Sequence, residues 1–172
     1  MKPISYKEKE EIILSKFLIA YKKRFGVDLK KKNHRDKPDF EVINTITGEC
    51  IGIEVTGTYQ SNEEAIIQNR RGGEAKIGGR DVKDWDIFTG NSEDFIADLN
   101  NRIADKVNKL VSYTFSGRIL LVIWCGSLNF NEKFDIDFIR GKINIPQNDY
   151  SEIWLIIREK EDNSPALYPL QI

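Results

Sequence analysis

The chain contains one histidine, His34, and two cysteines, Cys50 and Cys125. A single imidazole excludes His-rich metal sites and most hydrolases that rely on a histidine base. The cysteines have no C-x-x-C spacing, which argues against a zinc cluster or a disulfide framework and for buried thiols in a reducing compartment. No apolar run approaches the ~20 residues of a bilayer span. The opening MKPISYKEKEE lacks the apolar stretch of a signal peptide. The expectation is a cytoplasmic protein with no membrane partner. The phosphate-loop pattern GxxxxGK[ST] is also missing, although Gly-Gly pairs occur in RRGGEAKIGGRDVKDW. Neither internal repeats nor low-complexity segments are present.

What remains is an ordinary globular composition. At 172 residues, 40% hydrophobic and 31% charged, the chain is most simply one domain over residues 1–172, long enough to bury a sizeable core. The net charge of −1 conceals an uneven distribution. From Lys22 to Lys37 the sequence KKRFGVDLKKKNHRDK carries eight Lys or Arg against Asp28 and Asp36. Such a block is either a solvated helix end and loop or a footprint for a phosphate backbone, and Lys30, Lys31, Lys32 and Arg35 are its candidates.

The block leads directly into KPDFEVINTITGECIGIEVTGTY, residues 37–59. Residues 40–43 and 51–55 are rich in β-branched side chains, and residues 45–49 hold turn formers with Gly48 available for positive φ, so the pattern predicts a β-hairpin. Alternation along the second strand puts Cys50, Gly52, Glu54 and Thr56 on one face and Ile51, Ile53 and Val55 on the other. A hairpin brings Asp39 and Glu54 side by side, with Gly52 leaving open space beside Glu54. Two carboxylates converging on a gap suit a hard, oxygen-preferring cation such as Mg²⁺ or Mn²⁺.

Helical periodicity frames the hairpin. Residues 6–24 read as a helix whose stripe holds Tyr6, Ile13, Leu14, Phe17, Ala20 and Tyr21, with Gly26 as its stop. Glu10 projects onto the middle of that stripe, where a carboxylate needs a partner or an ion unless it escapes to water near the helix start. Residues 27–32 read as a short strand followed by a turn over 33–37. After the hairpin, residues 60–71 suggest a short helix and residues 70–90 an irregular basic loop, with Arg70, Arg71, Lys76 and Arg80 available to phosphates and Trp85 to a base. A second helix starts with Ser92 as N-cap and buries Phe95, Leu99, Ile103, Val107 and Leu110. Lys106 falls inside that stripe. It either snorkels to water or delivers an ammonium to an acidic partner on the hairpin. Residues 118–125, RILLVIWC, read as a strand covered on both faces, reached by a crossover. A short helix over 134–140, a strand over 152–158 and an edge strand over 166–172, limited by Pro165 and Pro169, complete the α/β pattern.

The Pro-Asp, hairpin and acidic tripeptide together resemble the PD-(D/E)XK nuclease superfamily, whose signature is Pro-Asp followed by acid, any residue and lysine. Here the positions read Pro38-Asp39 and Glu54-Val55-Thr56, with Thr56 where the lysine is usual. By order of elements the resemblance covers roughly residues 6–125. It implies a restriction endonuclease-like αβββαβ core, a central mixed sheet flanked by helices, here with extra C-terminal strands. It implies Mg²⁺- or Mn²⁺-dependent hydrolysis of phosphodiester bonds in nucleic acid, with DNA the expected polymer, by in-line attack of water. Asp39, Glu54 and the Val55 carbonyl would hold the metal, Glu10 would complete the acidic cluster, and Lys106 would replace the missing lysine. Thr56 also admits an inactive member of the fold that binds nucleic acid or a protein partner. A third reading makes the chain a structural or toxin-neutralising partner with the acids as surface charge. Many such nucleases dimerise, but no patch in this sequence argues for a homodimer.

Overall fold

The computed structural model describes residues 5–58, 75–77, 80–82, 92–125, 132–158 and 164–172. Helix α1 (Tyr6–Phe25) begins at a capping box: the Ser5 hydroxyl accepts from the Glu8 amide at 3.2 Å, and the Ser5 amide donates to the Glu8 carboxylate at 2.7 Å. It ends at Gly26, whose φ of 69° is the left-handed stop expected of that glycine. Strands β1 (Leu29–His34), β2 (Phe40–Asn44) and β3 (Cys50–Thr58) follow as an antiparallel meander. The β2–β3 turn is held by the Asn44 side chain, which accepts from the Ile46 and Thr47 amides, and Gly48 takes φ 74°. Strands β4 (Ala75–Ile77) and β5 (Arg80–Val82) form a separate two-stranded ribbon. Helix α2 (Ser92–Leu110), strand β6 (Ile119–Cys125), helix α3 (Glu132–Lys142) and strands β7 (Glu152–Arg158) and β8 (Pro165–Gln171) complete the order.

The main sheet runs β1-β2-β3-β6-β7-β8, with β3, β6 and β7 parallel to one another and the other pairs antiparallel. The architecture is therefore α/β with a six-stranded, mixed, open sheet. All seven residues of β6 are buried, as its unbroken apolar run requires for a strand covered on both faces. Even-numbered β6 residues (Leu120, Val122, Trp124) join Phe40, Val42, Ile51, Ile53 and Val55 against α1. Odd-numbered ones (Ile119, Leu121, Ile123) join Phe95, Leu99 and Ile103 of α2 and Ile136 and Ile139 of α3 on the opposite face. Each fully buried Leu, Ile or Phe contributes roughly 1.5–3 kcal/mol against exposure, so this alternation fixes which way every β3 side chain points. Arg24 donates to the Leu167 carbonyl at 2.7 Å, tying the end of α1 to β8.

Four local expectations need correction. β1 runs on to His34 rather than ending at Lys32, because a bulge between Lys31 and Asn33 absorbs a residue and keeps the strand paired with β2. Tyr6 is 69% exposed rather than part of the buried α1 stripe, which starts at Glu10 and Ile13. The basic loop is not wholly irregular: it contains the β4–β5 ribbon, with Ile77 opposite Arg80. Pro169 lies within β8 instead of bounding it, because β8 is an edge strand with a register irregularity opposite Ile153 and Trp154. The short helix expected over 60–71, and Ser92's side-chain cap, lie outside the described residues. Among the described residues no helix is long and apolar enough to cross a membrane.

Candidate active site

The meander opens a notch in the sheet. Pairing between β2 and β3 begins at Phe40 opposite Ile53, whereas β3 continues to Thr58 alongside β6 alone. At the notch the Asp39 carboxylate takes the place of a ladder partner and accepts from the Val55 amide at 2.8 Å. The Asp39 amide in turn donates to Glu54 Oε2 at 3.3 Å. Asp39 and Glu54 therefore meet as the hairpin predicts, and both are buried, at 8% and 3% exposure. Gly52 does not leave open space beside them. A Cβ there would lie 2.7 Å from Pro38 Cγ and 3.1 Å from Phe115 Cδ1, so the glycine is what lets Pro38 seat against β3 and fixes where Asp39 starts.

Lys106 reaches this pair from α2. Its ammonium binds Glu54 Oε1, and its side chain is only 12% exposed, so it does not snorkel to water. Burial pulls the Lys106 pKa down, but the Glu54 carboxylate, by charge and hydrogen bond, and then Asp39 reverse the effect and leave it above the usual lysine value. Thr56 has no part in holding that ammonium. It stands half-buried in register with Ile123, on the same face as Glu54 by alternation.

Glu10 comes from α1 on the other side of the sheet and is 7% exposed, so it does not escape to water. Its Oε2 lies 3.0 Å from His34 Nε2, and the other ring nitrogen lies 3.3 Å from Glu11. The bulge in β1 turns His34 toward α1, where its ring packs on Phe40 with centroids 4.5 Å apart. Glu10, His34, Asp39, Glu54 and Lys106 line one cleft of about 380 Å³, together with Tyr6, Lys7, Arg35, Asp36, Lys37, Lys109 and Tyr113.

The electrostatics of the cleft follow from two carboxylates sharing a buried space. Burial first, and then the adjacent Glu54, raise the Asp39 carboxyl to about 7, against the pull of the Val55 amide and Lys106. Burial and the Glu54 carboxylate also push the Tyr113 phenol well above its ordinary value. Burial, then Glu54, push the neighbouring Tyr150 phenol up in the same direction. Both phenols thus stay protonated beside Glu54, and Tyr150 donates to the Lys106 carbonyl at 3.2 Å, bracing α2 at that point.

A hard divalent cation fits this donor set. The two buried carboxylates repel each other, and Mg²⁺ typically needs only one or two protein carboxylates because water and substrate phosphate fill the remaining positions. Among the described residues no group of three or more His, Cys, Asp or Glu is gathered to hold a metal. Glu10 faces the same cleft but is engaged by His34.

The basic block divides. Lys31 pairs with Glu11 at 2.6 Å, Lys32 with Glu41 at 2.8 Å, and Lys22 with Asp28 at 3.0 Å. The hydrogen bond from Lys32, then that from Asn33, hold the Glu41 carboxyl down at about 2. Lys30 is exposed on β1 and does not line the cleft. Arg35 lines it while lying 3.6 Å from Glu41 and 5.6 Å over the Phe115 ring. Arg70, Arg71 and Trp85 lie outside the described residues; Lys76 and Arg80 are placed on the ribbon by backbone only. His34, Lys37, Lys109 and Tyr113 were not singled out for the site from sequence. His34 reaches the cleft only through the bulge in β1, and the others are set by how the loops and helices dock.

Comparison with protein-family models, curated proteins and solved structures returns no match, so any functional reading rests on these residues and their geometry.

Proposed function

We propose that the protein is a metal-dependent phosphodiesterase that hydrolyses nucleic acid. The observation that carries the reading is the convergence of Asp39, Glu54 and the Lys106 ammonium in one buried notch. The element order α1-β1-β2-β3, then α2 and β6, agrees with an αβββαβ core of the restriction endonuclease-like kind and supports the reading.

In this reading Asp39 and Glu54 hold Mg²⁺ or Mn²⁺, with the Val55 carbonyl as the further ligand that the resemblance suggests. Bound there, the cation would lower the pKa of water and offset charge building on the phosphoryl oxygens. The chain's own groups do the rest. The Val55 amide and the packing of Pro38 on Gly52 fix Asp39. Tyr113 and Lys106 bracket Glu54, so its orientation is set before substrate arrives. Lys106 supplies a positive charge beside the reacting phosphate, the role that a lysine at position 56 would otherwise fill. Glu10, held by His34, bounds the cleft on its α1 side.

The test is cleavage of labelled DNA and RNA, single- and double-stranded, by wild type and Glu54→Gln in Mg²⁺, Mn²⁺ or EDTA. The expected result is metal-dependent cutting by wild type that the variant loses by at least about a hundredfold. Binding without cutting on every substrate would replace this reading with the inactive, nucleic-acid-binding member of the fold.

A further inference from the structure

The rim of the cleft differs in charge from its floor. Lys7 comes from the first turn of α1, Lys37 from the β1–β2 loop and Lys109 from the last turn of α2, and all three line the cleft. They are exposed, and among the described residues none has a carboxylate partner; Lys37 donates only to the Ser112 hydroxyl, at 3.3 Å. Asp36 is the acid on this rim. The contrast with Lys31 and Lys32, each held by a glutamate, is direct. Three cations without carboxylate partners among the described residues, brought from three elements around one opening, form a surface for an anion longer than a single phosphate.

Tyr6 adds an aromatic face. It lines the same cleft and is 69% exposed, which is unusual for a large ring adjoining a core. Its position is not left to a frayed end. The Ser5–Glu8 capping box fixes the first turn of α1, and so fixes Tyr6 and Lys7 together. The loop carrying Lys37 is likewise closed, by the Arg35 amide donating to the Asp39 carbonyl at 2.7 Å.

We propose that the cleft binds a single nucleic-acid strand, its phosphates on Lys7, Lys37 and Lys109 and one base stacked on Tyr6. The inference rests on the phosphodiesterase reading of the floor and adds the class of substrate. An exposed ring stacks a base only when that base is free of its pair, and stacking on aromatics tolerates every base. The volume of about 380 Å³ is near the lower end of ligand pockets, roughly 300–1,000 Å³, which suits a nucleotide-sized segment and not the width of a duplex. DNA and RNA strands share this chemistry, so both belong in the test.

The experiment is fluorescence anisotropy in EDTA with short labelled single strands of DNA and of RNA and a blunt duplex of the same sequence. The full chain is titrated over a range of salt. Single strands of at least one sugar type should bind about tenfold or more tighter than duplex. Tyr6→Ala should weaken binding about five- to a hundredfold while Tyr6→Phe retains it. Each of Lys7→Gln, Lys37→Gln and Lys109→Gln should lower the salt slope by about 0.7. Duplex bound as tightly as single strands, no effect of Tyr6→Ala, or losses centred on Lys30→Ala instead of the cleft lysines would each overturn the inference. Because EDTA removes catalysis, the two readings fail separately. Strand binding of this pattern without Mg²⁺-dependent cleavage upholds the inference while the enzyme reading falls; cleavage confined to duplex does the reverse.

Discussion

Asp39 is the residue whose replacement tests the site most directly, because the structure makes its charge a burden on the folded state. Its carboxyl lies at about 7 in the fold against an ordinary 3.8, through burial and then the proximity of Glu54. Below pH ~3.8 the group is protonated in both folded and unfolded chains and adds no penalty. As pH rises toward 7 the unfolded chain releases the proton and the folded one keeps it, so the native state loses about 1.4 kcal/mol per pH unit; above 7 the loss is complete. Asn at this position carries no charge, keeps an oxygen for the Val55 amide and turns a donor toward Glu54. In EDTA, Asp39→Asn should therefore be more stable than wild type by roughly 1.5 kcal/mol at pH 5 and roughly 4 kcal/mol at pH 8. Urea unfolding of both proteins at the two pH values measures the gap. Mn²⁺ should narrow it, since wild type gains about 2.7 kcal/mol at a hundredfold excess over Kd while the variant gains little. A gap that does not widen from pH 5 to pH 8, or a variant less stable than wild type at pH 8, would refute the claim that Asp39 and Glu54 share a buried, cation-seeking space.

Two further perturbations probe what holds that space. Lys106→Met leaves Glu54 buried without its ammonium and should cost about 3 kcal/mol or more in urea unfolding, part of it recovered on adding Mn²⁺; unchanged stability would mean that the lysine points to water in solution. Gly52→Ala drives a methyl group to 2.7 Å from Pro38 Cγ and should destabilise by about 1–3 kcal/mol. Because Pro38 precedes Asp39, it should also lower kcat by about tenfold or more with a smaller change in KM; wild-type kinetics in that variant would show that Asp39 tolerates the shift.

The parts of the site that were legible in the sequence are those set by local periodicity. Strand alternation alone places Glu54 on the face opposite Ile53 and Val55, and those two pack under α1 as the pattern requires. Helical projection likewise places Glu10 among Ile13, Leu14 and Phe17, and the structure buries it there. Periodicity fails where one residue is inserted. From Leu29, simple alternation would turn His34 away from α1, and the bulge between Lys31 and Asn33 reverses its face so that it meets Glu10. It also says nothing about partners distant in sequence. Lys31 and Glu11 are 20 residues apart, and only the docking of α1 on β1 pairs them. Gly52 misled for the same reason: an absent side chain reads as space until Pro38 and Phe115 are known to fill it.

The same distinction bears on Thr56. A lysine two residues after Glu54 would be carried by the strand itself, so its placement would depend on local backbone geometry alone. Here the ammonium comes from α2 and arrives only if that helix is seated on the sheet through Phe95, Leu99 and Ile103. Tyr150 tightens the dependence, since its hydroxyl binds the Lys106 carbonyl from the segment that leads into β7. The charge balance around Glu54 is thus a property of the whole α2–β6–β7 packing. Loosening that core would release Lys106 before it unfolded the hairpin, because the Asp39–Val55 and Asp39–Glu54 contacts are made within the meander. An arrangement of this kind makes the two carboxylates the fixed part of the site and the ammonium the conditional part, which is the order in which damage to the fold should remove them.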